Sequence, residues 1–142
     1  MSARPAASSA AVRARMSRQR RRDTRAELLV RQNLHSRGVR YRVDAIPEPG
    51  MRCRADLVWR GLRLAVFIDG CFWHGCPIHA TRPKANEEWW AQKLDGNVLR
   101  DRRTDAKLTE LGWTVLRFWE HEQPHVVADE ICRVLAELRA RL

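Results

Sequence analysis

"CRADLVWRGLRLAVFIDG", residues 53–70, decides how the rest of the chain is read. It contains two apolar runs separated by Arg60-Gly61, a dipeptide suited to a tight turn, so it predicts two adjacent strands. In the first run, Asp56 begins the apolar "LVW" segment. The second, "LAVFID", is continuously apolar, as expected of a central strand covered on both faces.

Working outward, "VRYRVDAI" (39–46) alternates like a half-buried strand, and "PEPG" (47–50) is a turn. Upstream, "DTRAELLVRQNLHSRG" (23–38) predicts a helix. Asp23 or Thr24 caps it, Glu27 stands in its first turn and Gly38 ends it. Downstream, "NEEWWAQKLDGNVLRDRRTDAKLTELG" (86–112) is helical, with Asn86 as N-cap, a break expected near Gly96 and an end at Gly112. "WTVLRFWE" (113–120) is a last strand, and "PHVVADEICRVLAELRARL" (124–142) an amphipathic helix opened by Pro124. A strand–helix–strand crossover after a hairpin implies one α/β domain, with a central mixed β-sheet flanked by helices.

The chain of 142 residues carries +10 at neutral pH, and the charge is concentrated at one end. Residues 1–25 hold eight Arg and one Asp, a net of +7 that leaves +3 for the remainder. Residues 1–22 read as a basic, disordered arm before a folded domain over 23–142, and such an arm points to a polyanionic partner, most simply nucleic acid. No apolar run reaches the ~18 residues of a membrane span, and the first residues lack a secretory pattern. The expected location is the cytoplasm, with the cysteines reduced.

"CFWHGCPIH", residues 71–79, packs two Cys, two His and two large aromatics into nine positions. Cys71, Cys76 and His79 have the short spacing of zinc ligands, and a structural site needs a fourth. His121, just after the last strand, is the better candidate. Cys132 is the rival, although it lies among Ile131, Val134 and Leu135 and can act as a small core hydrophobe. His74, left over in the same loop, can be a general base or acid.

Asp56 and Asp69 lie in or at the end of apolar strands, where a carboxylate needs a partner, a cap or a cation. Glu27 and Asp101 could complete a site for a hard cation such as Mg²⁺. Six Trp are present. Trp59, Trp113 and Trp119 should fill the core. Adjacent helical Trp89 and Trp90 cannot both face one core stripe, so one should point elsewhere.

"FIDGCFWHGCPIH" and "NEEWWAQKLDGNVLRDRRTDAKLTELGWTVLRFWEHE" resemble the very short patch repair (Vsr) DNA mismatch endonucleases, with likeness from about Arg18 to Leu142. The resemblance implies a restriction-endonuclease-like fold, a structural Zn²⁺, and Mg²⁺-dependent nicking 5′ to the thymine of a T·G mismatch left by deamination of 5-methylcytosine. It implies that Asp56 and the main-chain carbonyl of Ile68 hold Mg²⁺; Asp69, which ends the apolar strand at a position where the family varies, is a further Mg²⁺ candidate. Glu27 would hold metal-bound waters, His74 would be the catalytic histidine and Asp101 its acidic support. Cys71, Cys76, His79 and His121 would be the zinc set. Phe72, Trp73 and Trp90 would wedge into DNA, and Arg18, Arg20, Arg21 and Arg22 of the arm would hold phosphates. The implied partner is mismatched double-stranded DNA, with mismatch-repair proteins as further partners and a monomer as the acting form. The chain departs from the pattern in three places. "RADL" lacks a proline before the aspartate, no Glu-x-Lys follows "AVF", and the fourth zinc position, often Cys, is His121. Two other readings remain: a zinc-stabilised DNA-binding module without catalysis, and a nuclease of the same fold with another DNA substrate.

Overall fold

The computed structural model describes residues 24–71 and 85–142. The arm, with Arg18, Arg20, Arg21 and Arg22, lies outside the described residues, as do Phe72, Trp73, His74, Cys76 and His79.

Helix α1 (Arg25–Ser36) starts at Thr24 through a reciprocal capping box. The Glu27 amide donates to Thr24 Oγ1 at 3.3 Å, and Glu27 Oε2 accepts from the Thr24 amide at 3.3 Å. Gly38, at φ +75°, lets the chain leave the helix in a conformation costly for other residues.

Strands β1 (Arg42–Ala45), β2 (Ala55–Trp59) and β3 (Leu64–Asp69) follow. β1 is shorter than the alternation in 39–46 suggested, and Asp44 within it has φ +50°. The expected turn between β2 and β3 is one turn of 3-10 helix, Arg60–Leu62, closed by Arg63 at φ +54°. Arg63 also joins the hairpin to the next strand. Its carbonyl accepts from the Thr114 amide at 2.8 Å, and its Nη1 donates to the Leu111 carbonyl at 3.1 Å.

Helix α2 (Glu87–Glu110) is continuous over 24 residues, so the break expected near Gly96 does not occur. An interior glycine costs about 1 kcal/mol of helix propensity but keeps its backbone hydrogen bonds, and nothing approaches the position where a Cβ would stand. Asn86 occupies the N-cap position at φ +58°, yet its side chain makes no capping hydrogen bond. Strand β4 (Thr114–Trp119) and helix α3 (Pro124–Ala140) complete the chain.

The sheet order is β1-β2-β3-β4, antiparallel for the first two pairings and parallel for the third. On one face, Val30 and Leu34 of α1 and Val127, Ile131 and Leu135 of α3 pack against Leu57, Trp59, Leu64, Val66 and Ile68. On the other, Leu108 and Trp113 cover Ala55, Val58, Ala65 and Phe67. Every residue of β3 is buried, which explains its unbroken apolarity. Trp59 and Trp113 are core residues whose indole N–H groups reach the Arg40 carbonyl and Glu48 Oε1, each at 2.7 Å. Trp119 is half-buried. No helix among the described residues is long and apolar enough to cross a membrane.

Candidate active site

The β2–β3 ladder runs from Trp59↔Leu64 to Leu57↔Val66 and pairs no further. One step beyond, Asp56 Oδ2 accepts the Ile68 amide at 2.6 Å, so a side chain takes the place of a backbone partner where the strands part. Glu27, 5% exposed, approaches the same place from the first turn of α1. Its Oε2 also meets Arg31 Nη2 at 3.5 Å.

The Asp56 carboxyl is pushed up to about 8. Burial is the largest cause, and the negative charge of Glu27 adds to it. The Ile68 amide opposes the rise, and Asp69 adds a smaller push. Without a cation, this acid keeps its proton at neutral pH. A buried carboxyl facing a second carboxylate fits a divalent cation with oxygen ligands, because such a cation would offset both charges. The sequence reading and the structure therefore bring together Asp56, Glu27 and Ile68.

Asp69 has a different counter-charge from the one expected. It is 7% exposed, and both its oxygens accept from Arg117 Nη1 at 3.0 Å. Arg117 was not singled out in the sequence. From β4 it also reaches Asp105 on α2, through Nε at 2.8 and 2.9 Å, and its Nη1 stands 3.7 Å from Asp101. Its guanidinium lies over the Phe67 ring at 4.1 Å. Burial alone would weaken the charge of Arg117, but Asp69, Asp101 and Asp105 more than offset this and hold it protonated. The available signal was an arginine inside the apolar run "VLRFW", combined with two aspartates four apart on the preceding helix.

Cys71, 5% exposed, places Sγ 3.3 Å from His121 Nδ1, and its amide donates to Glu120 Oε1 at 3.1 Å. A thiolate and an imidazole on one tetrahedral zinc stand roughly 3.5 Å apart, given the usual Zn–S and Zn–N lengths. This pair fits such an ion. Cys132 instead packs against the core beneath α3 and lies beside Arg37.

Trp90, expected to wedge into DNA, is buried in this structure. It is 3% exposed and packs with Leu94, so its ring serves the interior. Trp89 is half-buried, with its ring perpendicular to Trp90 at 4.9 Å between centroids. Both rings belong to one small cluster with Leu94.

The family model described as DNA mismatch endonuclease Vsr matches residues 7–80. The chain is 46% identical over 110 residues to the type II nicking enzyme V.NaeI of Lentzea aerocolonigenes, a match covering 76% of this chain and 66% of that protein. It is 39% identical over 109 residues to the type II nicking enzyme V.XorIIP of Xanthomonas oryzae pv. oryzae, covering 75% of this chain and 77% of that one. The DNA mismatch endonuclease Vsr of Escherichia coli is 39% identical over 100 residues, 70% of this chain and 62% of that protein.

Proposed function

Because the chain belongs to the Vsr family of DNA mismatch endonucleases, we propose that it nicks one strand of duplex DNA 5′ to the thymine of a T·G mismatch, by Mg²⁺-dependent hydrolysis on a restriction-endonuclease-like fold. The observation that carries this reading is the Asp56 carboxyl, set against Glu27 at the point where β2 and β3 part. Asp56 and the Ile68 carbonyl would hold Mg²⁺, and Glu27 would orient water around it. The ion would supply Lewis-acid stabilisation of the scissile phosphate and of the departing 3′ oxygen. His74, supported by Asp101, takes a proton from the attacking water as the P–O3′ bond breaks. Phe72 and Trp73 wedge at the mismatch, where a weakly stacked step opens most easily. Arg18, Arg20, Arg21 and Arg22 hold phosphates and make affinity fall with salt.

Nicking of matched, T·G-mismatched and single-stranded oligonucleotides tests the reading. A mispair is worth about 1–3 kcal/mol of discrimination, so the T·G duplex should be nicked roughly 10–100-fold faster than the matched one. Equal rates on both duplexes would favour a same-fold nuclease with another substrate. Salt-dependent binding without any Mg²⁺-dependent cleavage would favour a DNA-binding module.

Cys71, Cys76, His79 and His121 would hold one structural Zn²⁺, which would hold in place the segment that carries Phe72, Trp73 and His74. Metal analysis should find about one zinc per chain. His121→Ala should lower zinc retention and the melting temperature, whereas Cys132→Ala should leave zinc content unchanged. The reverse result would make Cys132 the fourth ligand.

A further inference from the structure

We propose that Arg117 is a positioning residue for the nicking reaction, holding Asp101 in place by fastening helix α2 to the end of β3. The proposal rests on the reading of Asp101 as the support of the catalytic histidine. Its basis is geometric. Asp101 and Asp105 are four apart on α2, so both project toward β4. Asp69 comes from the end of β3. Arg117 Nε serves both oxygens of Asp105, while Nη1 serves both oxygens of Asp69 and stands 3.7 Å from Asp101. Three carboxylates from two elements thus converge on one planar cation, backed by the Phe67 ring. Without that cation the three would repel, and Asp101 would lose its place relative to β3.

The fork matters as well as the charge. An ammonium is a single point and cannot occupy the Nε and Nη1 positions together. Arg117→Lys therefore keeps a counter-charge for buried Asp69, and with it the fold, but loses the span between Asp105 and Asp69. Lysine should lower kcat by roughly fivefold or more, with KM for DNA within about twofold, because no DNA contact is removed. Arg117→Met should lower kcat further.

A double-mutant cycle with Asp101→Asn tests whether Arg117 acts through Asp101. In the Asp101→Asn background, Arg117→Lys should change kcat less than about twofold, since the residue it positions no longer carries the charge. If lysine lowers kcat by the same factor in both backgrounds, Arg117 does not act through Asp101 and the proposal is overturned. An unchanged kcat for Arg117→Lys and Arg117→Met, with Asp101→Asn impaired, overturns it while leaving the role of Asp101 intact. If Asp101→Asn nicks as well as the parent, the role of Asp101 fails and the proposal fails with it.

Discussion

An Asp56→Asn protein nicks T·G DNA at least about 10³-fold more slowly than the parent, yet in metal-free buffer at pH 8 it unfolds at a higher temperature. The kinetic half follows from the proposed role. Losing the charged ligand removes several kcal/mol of transition-state stabilisation, and about 4 kcal/mol corresponds to 10³ in rate. The stability half follows from the raised pKa of the Asp56 carboxyl. An unfolded aspartate ionises near 3.9, whereas the native one keeps its proton until about 8. Below pH ~4 both states are protonated and the group costs nothing. Between ~4 and 8 the native state binds more protons than the unfolded state, so parent stability falls as pH rises. Above 8 the deficit is constant. Asparagine does not titrate, and its carbonyl oxygen can still accept the Ile68 amide. Melting curves in chelator should therefore show a gap between variant and parent that is small at pH 5 and widens to pH 8. Added Mg²⁺ should raise the parent selectively, because a ligand stabilises the state that binds it. A parent that gains on the variant between pH 5 and 8 would mean that Asp56 is stabilised as an anion, and the acidic site would have to be redrawn.

The hairpin around Arg60-Gly61, the caps of α1 and the helical face of α3 were legible because period, caps and turn residues act over a few positions. Of the expected site residues, Asp56, Glu27 and Ile68 stand together among the described residues, but the partnerships of the acids were not legible. Asp56 and Asp69 look alike in the sequence, each an acid in an apolar strand. The register separates them. With Phe67 opposite Arg117 in the parallel pair, Asp69 lies two residues along the same face and takes that guanidinium, while Asp56 meets Glu27. The burial of Trp90 was illegible for a similar reason. Helical spacing says that two adjacent rings leave the helix in different directions, but tertiary packing gathers both into one small cluster. Gly96 was read from local propensity, and the rest of a 24-residue helix overrode it. What escaped the sequence was therefore non-local, and it concentrates at the junction of α2, β3 and β4, where Arg117 sits.

Leu108→Ala tests that junction through packing rather than charge, and it should cost about 2–5 kcal/mol, toward the upper end. Leu108 is fully buried, and among the described residues it is the α2 side chain in the cluster on this face of the sheet. The other buried residues of α2, Trp90 and Leu94, belong to a separate small cluster. Beneath Leu108 the floor includes Ala55 and Ala65, which have no side-chain freedom to collapse into a cavity, and the indole of Trp113 is tied to Glu48. For a chain of this size the loss corresponds to a fall of roughly 10–15 °C in melting temperature. Leu99→Ala, on the same helix but 48% exposed, should stay within about 0.5 kcal/mol of the parent. The comparison isolates docking, since both substitutions make the same change in helix propensity. Asp101 and Asp105 ride on the helix that Leu108 anchors, so nicking by Leu108→Ala should also be lost at a lower temperature than in the parent, in step with its melting. If Leu108→Ala and Leu99→Ala melt together, α2 is not held to the sheet at this point, and the ion-pair cluster of Arg117 would have to hold it alone.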